Sequence, residues 1–248
     1  LSVHLNPPVP APVPATPAKV EPPPPESIPA KQRKDLSNEN LSKRFILLHD
    51  PLEKKYENIL KDYFFQQRAK VLALFSKSKS IKLYTDININ WDEQNSDLVK
   101  VSAPTIDQAV KSGADFANTL VGGGIDFNLL NPSISSVIQH RFQMLPEINR
   151  TVRGQLQDEL SEGLTNGETT DQIADRIRTV YNFASNRSKV IARTEITGSM
   201  NGGTFAAFKA AGVKNKMWVT SHDDKVRETH FVIDGEVVGI DHIFSNGV

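Results

Sequence analysis

The sequence predicts a mainly α-helical assembly with a small α+β C-terminal module and a disordered, proline-rich N-terminus. Prolines recur through residues 7–29, which excludes regular secondary structure there. Apolar residues then recur at spacings of three and four, the period of amphipathic helices. Short alternating stretches with an Asp-Gly turn signal follow Gly212. We therefore divide the chain into a tether, a helical domain and a C-terminal module, at residues 1–34, 35–165 and 166–248.

Composition gives little evidence for a strongly charged partner. The 29 Lys and Arg residues balance the 29 Asp and Glu residues, so any contact with nucleic acid must be local. The chain has no Cys, which excludes disulfides and thiolate metal sites. No apolar run approaches the roughly 20 residues that span a bilayer, so we expect no membrane contact. From the start at Leu1 and the end at Val248, we expect a piece of a longer protein.

The proline-rich segment is predicted to be a tether. It culminates in Pro22-Pro23-Pro24-Pro25, and such a run favours polyproline II or disorder. A ligand for a proline-recognition domain is the alternative interpretation.

The first half of the helical domain contains two predicted helices. One runs from about Asp50 to Ser76, with Pro51 in its first turn, and the other from Ile106 to Leu120. Residues 81–97 are rich in Asn and Asp and are predicted to be a loop or a weak edge strand. Gly122-Gly123-Gly124 is predicted to be a flexible turn, because no Lys-Ser or Lys-Thr follows it as in a phosphate-binding loop.

The second half is predicted to contain four more helices. Asn131-Pro132 is typical of a helix start, and further starts are expected near Pro146 and Thr169. A last long helix should run from Ser185 to Ala211. Its Gly202-Gly203 pair costs about 1 kcal/mol for each residue relative to Ala, so we expect another backbone to approach there.

The C-terminal module has the pattern of strand, turn and hairpin. Residues 217–220 are predicted to form a strand and residues 223–230 a short helical turn. Residues 231–233 and 236–238 should pair as a hairpin around Asp234-Gly235.

The order of motifs in this region resembles the phage Mu F-like head morphogenesis family, the minor head proteins of tailed bacteriophages. In this chain the motifs are Ala192-Arg193-Thr194-Glu195, the small residues from Asn201 to Ala207, Gly212-Val213, Trp218, Asp224, Arg227, His230 and Asp234-Gly235. The resemblance covers roughly Gly167 to Phe244. It implies a structural protein of head assembly, in some relatives fused behind a portal protein. The Cys-x-Cys segment that usually follows in the family is missing, which we interpret as truncation, and no metal site or cofactor is implied.

Two enzyme interpretations remain as alternatives. His222, Asp223, Asp224, His230 and His242 lie close in sequence and could serve a metal-dependent nuclease or hydrolase, although their spacing matches no metal-ligand motif. Arg193, Thr194 and Glu195 are similar to the Arg and Glu of ADP-ribosyltransferases, whose strand-borne motifs are not found here.

We favour a structural network of the same residues over catalysis. Glu195 is expected to pair with Arg227, with Asp224 and His230 satisfying backbone groups near the Asp-Gly turn. Trp218 is expected to cover the helix beside Gly202-Gly203.

The resemblance thus implies a minor capsid protein of a tailed bacteriophage or prophage with no catalytic step. The expected partners are portal, capsid or scaffold subunits, and the expected location is the phage head interior or portal vertex, after assembly in the host cytoplasm. Contact with double-stranded DNA is a secondary expectation. It depends on a local basic face formed by Arg176, Arg178, Arg187, Lys189 and Arg193, for which a solvated helix face is the alternative.

Overall fold

A computed structural model describes residues 37–77, 87–122, 131–223 and 226–247. In these ranges the elements in chain order are α1 (Asn38–Lys77), α2 (Trp91–Leu120), α3 (Pro132–Met144), α4 (Pro146–Thr165), α5 (Thr170–Ala210), β1 (Asn215–Met217), α6 (Glu228–Phe231) and β2 (Val237–Gly239). The mainly α-helical fold with a small α+β C-terminal module is confirmed. The predicted tether and all but Gly122 of the triple-glycine turn lie outside the described residues.

Helix starts follow the capping signals of the sequence. The Asn131 side chain accepts a hydrogen bond from the Ser133 amide, and Pro132 occupies the first turn of α3. At the start of α5, the Thr169 amide donates to Gln172 Oε1 at 2.8 Å, and the Gln172 amide donates back to Thr169 Oγ1. These starts agree with the sequence prediction.

Three helices are longer than the sequence predicted. Helix α1 begins at Asn38 and continues through Pro51, which is exposed. The backbone hydrogen bond that Pro51 cannot donate would lie on the solvent side, so the helix can continue there. Helix α2 begins at Trp91, where Asn90 caps it by accepting from the Glu93 amide. Helix α5 runs without a break through the turn expected near Ser185.

Helix α5 lies at the centre of the fold and packs chiefly against α2 and α1. One hydrophobic core includes residues from α1 to α5. Its largest fully buried side chains include Tyr56, Leu60, Phe64, Leu98, Ile106, Leu156, Ile177 and Tyr181. The predicted domain boundary near residue 165 falls in the turn between α4 and α5, and both helices contribute to this core. The boundary itself stays a prediction.

Helices α2 and α5 approach each other at two glycines. A Cβ on Gly203 would overlap the Val110 carbonyl oxygen, and a Cβ on Gly113 would overlap the Met200 carbonyl oxygen. Thr204 Oγ1 donates to the Gly113 carbonyl at 3.0 Å. The expected approach of another backbone is thus confirmed at Gly203. Gly202 instead faces the Val137 side chain of α3.

The predicted hairpin around Asp234-Gly235 is wrong. Strand β2 pairs antiparallel with β1, and Lys216 lies opposite Val238. Gly235, at φ 81°, turns the chain between α6 and β2, and its amide donates to the Trp218 carbonyl. The Asp234 side chain accepts two hydrogen bonds from Thr220. Asp234 and Gly235 therefore hold the connection between β1 and β2, which is longer than a hairpin turn. No helix in the described ranges combines the length and apolar character needed to cross a membrane.

Candidate functional site

Arg193 of the Ala-Arg-Thr-Glu motif pairs with Glu53 of α1. Arg193 Nε lies 3.0 Å from Glu53 Oε2, and Nη2 lies 3.3 Å from Oε1, which is a bidentate arrangement. The Glu53 side chain is 9% exposed, whereas that of Arg193 is 48% exposed. The hydrogen bond to Glu53 raises the pKa of Arg193. The motif arginine therefore joins α5 to α1. Sequence reasoning missed its partner Glu53, because the two residues lie 140 positions apart.

His49 extends this contact into a polar cluster between α1 and α5. Its Nε2 lies 2.9 Å from Thr197 Oγ1. Its Nδ1 lies 3.1 Å from Asp50 Oδ1 and 3.8 Å from Glu53 Oε2. We call His49, Asp50, Glu53, Arg193 and Thr197 the α1–α5 polar cluster.

His49, Asp50 and Glu53 are also, within the described ranges, the three-donor group whose atoms are close enough for a metal ion. The arrangement does not fit one. Both Glu53 oxygens accept bonds from Arg193, so a divalent cation would lie against a guanidinium. The geometry fits a polar link between two helices better than a metal centre.

Glu195 is partly buried on the opposite side of α5, beneath α3. Its side chain is 14% exposed, and Oε2 lies 3.9 Å from Arg141 Nη1 without a hydrogen-bond partner. Burial raises the pKa of Glu195, and the positive charge of Arg141 acts against that rise. The Arg141 guanidinium crosses Gly198, where a Cβ would overlap it. Thr194 remains on the surface and donates to the Val190 carbonyl at 3.0 Å.

The expected pair of Glu195 with Arg227 is wrong. Both residues are described, and no ion pair joins them, because Glu195 faces α3 while Arg227 is exposed at the start of α6. The Arg227 side chain makes no capping bond to α6. Asp224, assigned to the same network, lies outside the described residues.

Trp218 is the centre of an aromatic cluster in the C-terminal module. His230 packs edge-to-face on it at 5.3 Å between ring centroids, and Phe244 does so at 5.1 Å. The expected position of Trp218 over Gly202-Gly203 is wrong, since α3 and α2 cover those glycines. Trp218 therefore stabilises the module itself.

Asp234 connects the chain on either side of α6. Its Oδ1 accepts from the Thr220 amide at 2.8 Å and from Thr220 Oγ1 at 3.0 Å. His222 Nε2 lies 3.5 Å from Asp234 Oδ2, and His222 has φ 55°, the left-handed region. Asp234 thus holds the polypeptide loop before α6 and the turn after it.

The arrangement gives no support to either enzyme interpretation. His222 faces Asp234, His230 packs on Trp218, and His242 lies against Gly239. Together with Asp223 they form no three-donor group in the described ranges, from which Asp224 is missing. Arg193 and Glu195 face different helices, so they do not converge on one cleft.

Carboxylates neutralise most of the predicted basic face. Arg176 bonds to Glu168 and Glu159, at 2.7 and 2.6 Å. Arg178 pairs with Asp175, and Arg193 with Glu53. Among the described residues, Arg187 and Lys189 form no ion pair. DNA contact stays a prediction, with a smaller set of cations to support it.

The fold is a helical core with a small C-terminal module, in which the motif residues Arg193, Asp234 and Trp218 make internal contacts. Residues 154–248 match the model of the family described as Phage Mu protein F like protein. The match supports, over this C-terminal region, the resemblance seen in the sequence.

A relative is less informative. The chain is 22% identical over 108 residues to an "Uncharacterized protein" of Haemophilus influenzae (strain ATCC 51907 / DSM 11121 / KW20 / Rd). The match covers 44% of this chain and spans about a quarter, 24%, of the length of that relative. No solved structure matches the chain.

Proposed function

We propose that the chain is a minor head protein of a tailed bacteriophage or prophage that acts in head assembly near the portal, without a catalytic step. The observation that carries the proposal is the family match, since residues 154–248 include both the Ala192-Arg193-Thr194-Glu195 motif and the Asp234-Gly235 turn. Its partners are then portal, capsid or scaffold subunits. It assembles in the host cytoplasm and ends in the head interior or at the portal vertex.

The contacts of the motif residues support an assembly role. A catalytic group must reach its substrate within hydrogen-bond distance. Arg193 is instead engaged with Glu53, Asp234 is engaged with Thr220, and the partly buried Glu195 lies beneath Arg141. These groups hold helices and turns in place. Such contacts are expected of a protein that acts by binding other proteins on its surface.

Co-expression with the portal and major capsid proteins of the same phage tests the proposal. Affinity purification should recover portal or capsid subunits with the full chain, and mass spectrometry of purified heads should detect it. A chain that is absent from heads and binds none of these subunits would contradict the assembly role.

Double-stranded DNA is a secondary partner in the proposal, supported by Arg187 and Lys189. Binding that depends on phosphate contacts weakens steeply with salt. Duplex binding should therefore be measured at two salt concentrations, with the variants Arg187→Gln and Lys189→Gln. If no salt-sensitive binding occurs at low ionic strength, DNA is removed from the list of partners.

A further inference from the structure

An apolar cavity lies open between α4 and α5. Its volume is about 210 Å³. Ile148 and Val152 of α4, Ala184 and Ile191 of α5, and Phe64 of α1 line it with apolar side chains. A cavity of this volume has room for an apolar side chain of a partner.

The α5 side of this cleft exposes more apolar surface. Phe183 is 50% exposed and Val190 is 67% exposed. Phe183, Arg187 and Val190 are spaced four and three residues apart, so they share one side of the helix. Aromatic and apolar groups beside an arginine form the composition that is enriched at protein interfaces.

Arg187 gives the cleft an uncompensated positive charge. Its guanidinium lies 5.8 Å from the centroid of the Phe183 ring. In the described ranges it has no carboxylate partner. The other charged residue that lines the cavity, Glu147, is paired with Arg150 at 2.5 Å. A ligand that fits the cleft must therefore bring an apolar side chain and a negative charge together.

We propose that the α4–α5 cleft binds a segment of a partner protein that places an apolar side chain in the cavity and a carboxylate on Arg187. The inference rests on the proposed assembly role for the existence of a protein partner. DNA fits the cleft less well because its phosphate backbone offers no apolar group for the cavity. Arg176 and Arg178, on the same helix, are already occupied by carboxylates.

The test uses the full chain and fluorescent peptides. One peptide is amphipathic, with leucines on one helical face and glutamates beside them. Its counterparts carry Gln for Glu, or Ala for Leu. Fluorescence anisotropy should show saturable binding of the first peptide, and either change in the peptide should weaken binding about tenfold.

Protein variants locate the site. Arg187→Gln should weaken binding of the acidic peptide about tenfold, whereas Lys214→Gln, which removes the same charge from an exposed position outside the cleft, should leave it unchanged. Val190→Asn, at a 67% exposed position that should not disturb folding, should weaken it as well. Circular dichroism confirms that each variant is folded.

Three outcomes would overturn the inference. The first is an acidic peptide that fails to bind the wild-type chain, or binds Arg187→Gln equally well. The second is tighter binding of a DNA duplex than of the peptide, again dependent on Arg187. The third is self-association that Arg187→Gln abolishes, which would assign the cleft to a second copy.

A head-assembly assay separates this inference from the proposed function. If the wild-type chain enters heads and the charge reversal Arg187→Glu enters equally well, the cleft is not the assembly surface, and the proposed function stands. If the wild-type chain does not enter heads, the proposed function fails, whatever the peptides do.

Discussion

At the scale of single residues, the motif arginine has a structural partner outside the Mu F-like region. Glu53 is buried beside His49 and receives two bonds from Arg193. A buried carboxylate that loses its partner retains its desolvation cost. Arg193 is half-exposed, so solvent reduces the strength of the pair relative to a fully buried one.

Replacing Arg193 by Ala should therefore lower the free energy of unfolding by about 1–2 kcal/mol. The double variant with Glu53→Gln should lose less than the sum of the two single changes, because the pair is shared. Urea unfolding of the four proteins measures this coupling. Additive losses would show that the pair contributes nothing.

Arg227→Ala is the matched control for that experiment. Its side chain is exposed and makes no capping bond, so its effect should stay within about 0.5 kcal/mol. If Arg227→Ala lowered the free energy of unfolding as much as Arg193→Ala does, Arg227 would have a structural role after all.

Glu195 should make stability depend on pH in the direction opposite to a surface ion pair. Burial raises its pKa above the ordinary value of 4.5. Its contribution is therefore fully present below the unfolded pKa and is lost as pH rises through the folded pKa. As pH rises through this range, Glu195→Gln should become more stable relative to the wild type. The difference should then stay constant at higher pH. Chemical unfolding across acidic to neutral pH would measure it, and a constant difference would contradict the assignment.

Asp241→Asn supplies the opposite sign. Its hydrogen bond to Lys209 lowers the pKa of Asp241, so the wild-type contribution is present above the unfolded pKa and is lost as pH falls. The destabilisation caused by this variant should thus shrink toward acid. If the stability difference from the wild type did not change with pH for either variant, neither Glu195 nor Asp241 would have a shifted pKa.

At the scale of elements, the glycines of α5 decide how closely its neighbours pack. Gly203 lets α2 approach, and Gly198 makes room for Arg141 of α3. An added methyl group at Gly203 must push the Val110 carbonyl away, and overpacking of this kind typically costs 1–3 kcal/mol.

Gly203→Ala should accordingly destabilise the protein by about 1–3 kcal/mol, although Ala is the better helix former. Gly154→Ala is the control. It lies in α4 with nothing within 4 Å of its added Cβ, so it should stabilise by about 0.5–1 kcal/mol. Thermal or urea unfolding compares them. Stabilisation by both changes would show that α2 and α5 are farther apart than described.

At the scale of the whole molecule, the Mu F-like region depends on the helices before it. The buried face of α5 packs mostly on α1 and α2. The Ser42 hydroxyl of α1 also donates to the Ser221 carbonyl in the C-terminal module. Helices α1 and α2 end before residue 154, where the family match begins.

A fragment of residues 154–248 should therefore fail to unfold cooperatively, because it exposes the apolar face of α5 that α1 and α2 cover. The full chain should show one sigmoidal transition by circular dichroism. Dye binding to exposed apolar surface should be high for the fragment alone. A cooperative transition in the isolated fragment would show that the region is an independent domain.

The sequence by itself determined that the fold is mainly helical and where several of the helices begin. Local signals carry that information: the apolar period of three and four, Asn131-Pro132, and the reciprocal cap of Thr169 and Gln172. The motif order in the tail also predicted the family whose model matches residues 154–248, because order and spacing can be read without knowledge of contacts.

Only the tertiary structure decided which residues meet. Glu53 and Arg193 are 140 positions apart, and α1 must fold back along α5 before they can bond. The Asp-Gly pair predicts a local hairpin, but β2 pairs with β1, and residues 231–233 form no strand. Caps, periods and motif order are properties of neighbouring residues, whereas ion pairs and strand partners depend on how the helices pack, and that packing is a property of the whole chain.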